Sequence, residues 1–483
     1  MIKDIFKDFY SLRLDFDITK IHDTSIKILE EIGIKIRSQK ALKLLESNGC
    51  KVDFDSKLVK IPRTVIEKNL SYNFPLKRLY NRTGESFIEI YGNNSVFMNG
   101  PGNIRIKESN GNFRDANLKD LIDMTRIHDH LKNIDIYINA VDPCDIELES
   151  YRTQIMATVI KNTSKPCYFV VDDVFGVEDI WNMGKIIRGS EEELRKKPYF
   201  CIIVPSEAIL GYGEKECDIL IRCAELGIPT AGAGYPIMGL TAPLSCTGAV
   251  ALANSNWLTA EIIKKSIDAK NPSQFNYMAA VTNMKNLFTV TSSPEIWLSS
   301  LLAIKLGEYY RVPVDVNIST DSKGSDLQMA YEKALSILLY ISAGANILSG
   351  ATNYLDSLNM ASYEQVIIDN EIVSSISHYF NMIKEHPVLD DFEIIRNSLE
   401  DKKNFLGSKN TLENYREFCL DSEIFIKDNF VNWKKSGMPE VINKANKEVT
   451  EIIREHKVQN LSDNIINKID KIVENAMNRD KKK

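Results

Sequence analysis

Short apolar runs recur through the middle of the chain: SVFMN (95–99), IDIYINAV (134–141), PCYFVV (166–171), YFCIIVP (199–205), IPTAGAG (228–234), QFNYMAA (274–280), PVDVNIS (313–319) and ANILSG (345–350). Each has the length of a strand, and the segments between them are long enough for a helix. Several of those helices carry caps. Asn117 precedes Leu118 with Asp120 three residues on, a capping-box start. Ser293-Pro294-Glu295 places Ser at the N-cap, Pro at the first helical position and an acid in the first turn. Ser362 with Gln365 opens a further helix, expected to run to about Phe380. From Leu327 to Ala343 the apolar positions Leu327, Ala330, Tyr331, Ala334, Leu335, Leu338 and Ile341 form one stripe, expected to face the core.

Strands alternating with helices predict βαβ units and a parallel sheet, and eight of them is the number that closes a TIM (β/α)8 barrel. An open doubly wound sheet is the competing arrangement. The barrel is expected over 95–384. An N-terminal cap of helices and short strands is expected over 1–94, where Ile26 to Leu45 shows helical spacing broken at Gly33. The asparagine- and glycine-rich segment from Asn99 to Phe113 reads as a loop and hairpin. A charged helical extension is expected over 385–483. Within it SGMPEVINKANKEVTEIIREH reads as a helix and AMNRDKKK as a frayed tail.

Composition narrows the function classes. Sixty Lys and Arg against 66 Asp and Glu leave a net charge of −6, so no nucleic-acid footprint is visible. The eight cysteines are thinly spread, which argues for a reducing compartment rather than a disulfide scaffold. The first twenty residues lack the apolar run of a signal peptide, and a cytoplasmic location is expected. Gly227 to Ala260 is free of charge, yet Pro229, Pro236 and Pro243 break any membrane helix there.

Motif searches mostly end in rejection. His128 and His130 at i, i+2 point to different helix faces, and neither HExxH nor CxxC occurs, so no metal site is expected. GxxxxGK[ST] and GxSxG are absent, and Gly211-Tyr-Gly213 and Gly232-Ala-Gly234 lack the third glycine of a dinucleotide fingerprint. Lys323, after the seventh run, has the position of a Schiff-base lysine, but Asp321 and Asp326 beside it favour a salt-bridged lysine at a helix entry. Two stretches stand out: Gly227–Ala260 without charge, and Pro272–Pro294 with only Lys285. Each covers an expected strand and the loop at its C-terminal end, where barrel enzymes place their sites. Tyr235, Tyr277 and Phe275 fall there. A neutral aromatic pocket suits a quaternary ammonium ion, while an apolar core is the plainer reading.

With these residues in view, the chain resembles the trimethylamine methyltransferase family, including members that lack pyrrolysine and demethylate betaines. The carriers run from Ala231-Gly-Ala-Gly-Tyr235-Pro236 to Gly239-Leu-Thr241-Ala-Pro243, with Gly248 opening the next helix. Further on come Asp321-Ser322-Lys323, Asp326-x-Gln328, Tyr331-Glu332-Lys333-Ala334, Ala343-Gly344-Ala345-Asn346, and Ser362-Tyr-Glu364 to Asp369-Asn370-Glu371; Val141-Asp142-Pro143 also fits. The resemblance implies a TIM barrel that passes a methyl group from an amine to cobalt. That cobalt would belong to a corrinoid (cobalamin) supplied by a separate corrinoid protein, so no cofactor is held by this chain. It also implies a small quaternary amine as substrate, glycine betaine or a related betaine, with trimethylamine as an alternative donor. Asn99, Asp142, Tyr235, Tyr277, Ser319, Asp321 and Ser349 are the expected substrate-site residues, all at strand C-termini. Tyr235 and Tyr277 would face the ammonium, Asn99 and Ser349 would hold a carboxylate, and Asp142 or Asp321 would hold loops or complement positive charge. One departure is Ser349, where family members often carry His. Residues 351–358 match the region that holds pyrrolysine in the founding enzyme, and here all are standard amino acids. A Schiff-base lyase and a non-catalytic betaine-binding protein remain the rivals, and oligomeric state, including a homo-oligomer, stays open.

Overall fold

The computed structural model describes residues 17–72, 74–207, 209–232, 234–385, 391–400 and 404–482. Eight parallel strand positions lie where the eight apolar runs predict them, seven of them formed strands and the second, at Ile136 and Tyr137, held by isolated bridges. From Val96–Met98 the pairing passes through bridges at Ile136 and Tyr137 to Cys167–Val170, Phe200–Ile203 and Thr230–Ala231. In the other direction Val96–Met98 pairs with Ile347–Ser349, then Val314–Asn317 and Phe275–Tyr277. A last strand that pairs with the first is what a cylinder requires. The expected closed barrel is nevertheless interrupted. Between the fifth strand, Thr230–Ala231, and the sixth, Phe275–Tyr277, no ladder bond joins the described residues. Trp257 stands in that gap, donating to the Gln274 carbonyl at 2.8 Å beside Thr230 and Ala231.

Alternation along the strands separates two apolar populations. Val96, Met98, Ile136, Ile138, Tyr168, Cys201, Ala231 and Ile347 form an interior cluster. Phe97, Phe169, Phe275, Tyr277, Val316 and Leu348 belong to the larger cluster between strands and helices. The hairpin Arg78–Tyr80/Phe87–Glu89 adds Leu76, Leu79 and Ile90 to the interior cluster and plugs its N-terminal end. The strand C-termini lie at the end opposite this plug.

Three expectations change. The helical spacing from Ile26 to Leu45 resolves into Ile18–Lys27 with a π-helical turn, a strand at Ile34–Ile36 and a helix at Gln39–Ser47. Gly33, at φ +87°, makes the reversal that a side chain would resist. Helix Ile18–Lys27 packs on helix Cys246–Lys265, which buries 16 of its 20 residues between this cap and the strands. That sandwiching accounts for much of the charge-free stretch. The stripe on Leu327–Ala343 is split, with Leu327 91% and Tyr331 59% exposed and Ala330, Ala334, Leu335 and Ile341 only partly buried against the core, while Met329, Glu332, Lys333, Ser336, Ile337 and Tyr340 are buried. Its polar residues turn inward because loops and a neighbouring helix use them.

The frayed tail is the third change. Helix Asp463–Asp480 lies along helices Tyr151–Asn162 and Val174–Arg188. It is fixed by Arg479 on Asp179 at 2.9 Å and by Ser150, whose N–H donates to Asp480 at 3.0 Å. Ile469 on this helix is fully buried. Ile469→Ala should cost about 2–4 kcal/mol in denaturant unfolding, the usual range for truncating a buried aliphatic side chain.

Candidate active site at the strand C-termini

Inward-facing side chains change character toward the open end. Asn276, Asp315, Asn317 and Ser349 face inward on the sixth, seventh and eighth strands, with Asn317 and Ser349 one step nearer the strand ends than the row of Asn276, Asp315, Ile347 and Val96. Val170, Ile203, Asn276 and Asn317 are partly exposed although they point inward, which marks them as the floor of the opening. Asp315 lies just beneath. It is fully buried, accepts from Asn276 Nδ2 at 2.8 Å and from the Ser349 hydroxyl, and has no Lys, Arg or His partner among the described residues. Burial without a counter-charge pushes its carboxyl up to about 7.

The segment after the eighth strand covers this floor. Asn353, Asp356, Ser357 and Leu358 have φ of 89°, 51°, 52° and 80°. A left-handed residue other than glycine costs roughly 1–2 kcal/mol, so the surroundings must impose this shape. They do so at several points. Asn353 N–H donates to Asp369 at 3.0 Å, and its amide donates to the carbonyls of Gly100 and Ala140. Asp369 pairs with Lys333, both fully buried. Thr352 donates to Nε2 of His128, whose Nδ1 donates to the Met124 carbonyl at 2.7 Å. Burial lowers the His128 pKa to about 3, so the ring stays neutral and accepts. Ser357 Oγ reaches Asp321 at 2.6 Å.

Within this segment Tyr354 is 2% exposed, its ring seated on two glycines. A Cβ at Gly100 or Gly350 would fall 2.6 or 2.8 Å from the ring, so neither position tolerates a side chain. Burial first, then Tyr235, Asp315 and Asp142 nearby, hold its phenol well above the ordinary value. Sequence reading placed Tyr354 in a region of interest without selecting it, and missed Asp315, Asn276 and Asn317. The signal for the last three was available: a polar residue at alternate positions of a strand buried on both faces.

The expected site residues divide. Tyr235 is half-buried at the opening, where burial and then Asp321 push its phenol up to about 12. Asp321 ties three loops together, accepting from Thr291 N–H and Oγ1 at 2.9 Å and from Ser357 while its own N–H donates to Glu332. Ser319 Oγ bonds Thr291 Oγ1 at 2.9 Å, and Ser349 sits on Asp315. Asp142 is held by Arg152 at 2.9 Å and Asn139 at 2.7 Å, a loop-holding arrangement. Two residues are not brought to the opening. Asn99 spends its amide on strand pairing, donating to the Ile138 carbonyl at 2.7 Å and accepting from its N–H at 2.9 Å, so it has no group left for a carboxylate. Tyr277 occupies the helix-facing side of its strand, fully buried, because register gives the inward position to Asn276. Lys323 is a surface lysine with a side chain 66% exposed, salt-bridged to Asp356 at 3.2 Å and donating to the Asp321 backbone carbonyl at 2.7 Å.

A cavity of about 350 Å³ lies at the plugged end, lined by Asp129, Asp135 and Lys165 among others. Three of its charged groups are engaged: Lys165 caps carbonyls of His128, Leu131 and Ile134, Asp129 pairs with His456, and Asp135 accepts from the Phe97 N–H at 2.9 Å. It has the makings of a structural joint.

A parallel α/β array with polar groups gathered where its strands end is an enzyme's architecture, and this chain is an enzyme of the methyltransferase class. It belongs to the trimethylamine methyltransferase (MTTB) family, whose model matches residues 8–479. A trimethylamine methyltransferase MttB of Desulfitobacterium hafniense is 26% identical over 463 residues, covering 95% of this chain and 92% of that protein. A glycine betaine methyltransferase of the same species, strain Y51, is 26% identical over 434 residues and 89% of each chain. The MttB of Methanosarcina thermophila is also 26% identical, over 459 residues. Among solved structures, the monomethylamine methyltransferase MtmB of Methanosarcina barkeri superposes with a TM-score of 0.50 over 92% of this chain and 94% of that one, at 11% identity, a likeness of fold. No described helix is long and apolar enough to cross a membrane.

Asp315 also sets a stability signature. Its carboxyl is raised from 3.8 in the unfolded chain to about 7 in the folded one. The folded state holds the proton more tightly, so the contribution is full below the unfolded value and is lost as pH rises through 7. Asp315→Asn should therefore melt higher than the parent at pH 8, with the difference shrinking toward pH 5.

Proposed function

We propose that this chain moves a methyl group from a small quaternary amine of the betaine type to the cobalt of a corrinoid carried by a separate protein, within a barrel spanning 95–384. The observation that carries the reading is the floor of the opening: the uncharged side chains of Val170, Ile203, Asn276 and Asn317, without lysine or arginine among the described residues, with Tyr235 half-buried at the opening and Tyr354 buried near Asp315. Such a lining suits a cation that offers no hydrogen bonds and binds over aromatic faces. The glycine betaine methyltransferase among the relatives supports it. The trimethylamine methyltransferases among them favour trimethylamine as the second reading. No observation favours Schiff-base chemistry at the exposed, paired Lys323.

Chemistry separates the two donors. The C–N bond pair stays on nitrogen while a pair from cobalt(I) makes the new carbon–cobalt bond. A quaternary ammonium then leaves as a neutral tertiary amine. Trimethylamine would leave as an amide anion unless its nitrogen were first activated. The work left to this chain is orientation: holding the methyl group in line with the acceptor and keeping the pocket dry. Positive charge fades from the nitrogen as the bond breaks. Neutral dipoles and ring faces therefore cost less of the transition state than a touching carboxylate would.

Incubating the chain with reduced corrinoid protein and following cobalt absorbance should show methyl transfer from at least one betaine and none from trimethylamine. Robust trimethylamine turnover, in protein made from the standard twenty amino acids, would overturn the reading. Tyr235→Leu should weaken binding of that betaine by about 1–2 kcal/mol in titration calorimetry, the range for a desolvated cation–π contact, with Phe nearly neutral.

A further inference from the structure

We propose that Asp315 is the positioning residue that sets the polarity of the pocket floor, so that the pocket accepts an alkylammonium cation while Asp315 is ionised and disfavours it once Asp315 is protonated. The inference rests on the proposed function and names the group that selects its substrate's charge.

The geometry starts from what an ionised carboxylate can do, which is accept only. Asn276 must then turn its NH2 down to Asp315, the contact seen at 2.8 Å, and this leaves its carbonyl oxygen free toward the opening, where Asn276 is partly exposed. Ser349 likewise donates its hydroxyl proton downward, leaving the lone pairs of Oγ on the upper side. The floor thus presents the negative end of the Asn276 dipole to whatever enters, with the buried Ser349 oxygen behind it. Asp315 itself is 0% exposed, so the ligand meets the dipole and not the carboxylate. This arrangement attracts a cation without a touching ion pair, as a reaction that discharges the nitrogen requires.

Protonation reverses the lower layer. A carboxylic acid donates one hydrogen bond, and a carbonyl of Asn276 or the Ser349 oxygen must turn down to receive it. A donor group then faces the opening, the wrong polarity for a cation. Burial places this change near neutral pH, at about 7. The groups around Asp315 do not titrate there. Tyr168 on the third strand, Cys201 on the fourth and Tyr354 above are all pushed upward by burial and stay neutral. The first, second and fifth strands contribute Val96, Met98, Ile136, Ile138 and Ala231.

The experiment compares glycine betaine with 3,3-dimethylbutanoate, which carries carbon in place of the charged nitrogen, by calorimetry at pH 6 and pH 8. If only the ionised state is competent, betaine should bind about tenfold more weakly at pH 6, following the fraction ionised around 7. The neutral-centred analogue should change less than about twofold. In Asp315→Asn, shown to be folded by its melting at both pH values, the betaine pH ratio should collapse and its affinity at pH 8 fall about tenfold or more, with the analogue unmoved. A retained pH ratio in Asp315→Asn, equal weakening of both ligands, or a parent that binds betaine no better than the analogue would overturn the proposal. Failure of the wider functional reading shows separately, as these binding ratios without methyl transfer to any corrinoid protein.

Discussion

The ion pair between Lys333 and Asp369 has no exposed atom, and the shape of the opening depends on it. Two charges taken out of water are costly, and removing one partner typically destabilises by about 3–5 kcal/mol because the other is left stranded. What the pair holds is a backbone N–H: Asp369 accepts from Asn353, the first of four left-handed residues in the segment over the strand ends. Gln365 fills the remaining carboxylate oxygen of Asp369. A helix-to-helix contact deep in the wall thereby imposes on a loop a conformation that its residues disfavour. Tyr354 is where that conformation delivers a side chain.

The same pair explains which features were legible in the sequence. Seven of the eight strands were, because strands buried on both faces read as unbroken apolar runs, while the run at 134–141 forms only bridges. Their caps were too: Asn117 and Asp120 form the full capping box, and Pro294 opens its helix, although Ser293 makes no side-chain cap bond. Helix Leu327–Ala343 was misread by face, because periodicity assumes that polar residues seek water. Here Glu332 and Lys333 turn inward to hold Asp321 and Asp369, and the apolar stripe is split, with Leu327 and Tyr331 left at the surface. Polar residues buried for the sake of a site invert the signal by which faces are assigned.

Site residues failed for a different reason. Asn99 and Tyr277 lie at strand ends, but strand parity decides which of two neighbours enters the opening, and both face away from it. Tyr277 and Asn276 differ by one position and face opposite layers. The aromatic residue was the more conspicuous and the amide the better placed. Asp321, by contrast, was legible as a loop-holder, and three loops do converge on it. Register between strands is a long-range property, absent from any local window.

The hairpin around Leu79 makes the interior a tube sealed at one end. With that end plugged, the polar opening at the strand C-termini serves as the door. Under the proposed reaction the methyl acceptor is a protein, and its cobalt must come to that door to meet the methyl group. Amine must then already be inside when the acceptor arrives, and the demethylated amine must wait until it departs. Such an enzyme has a compulsory order of arrival and departure, written into it by a plug at the end remote from the chemistry.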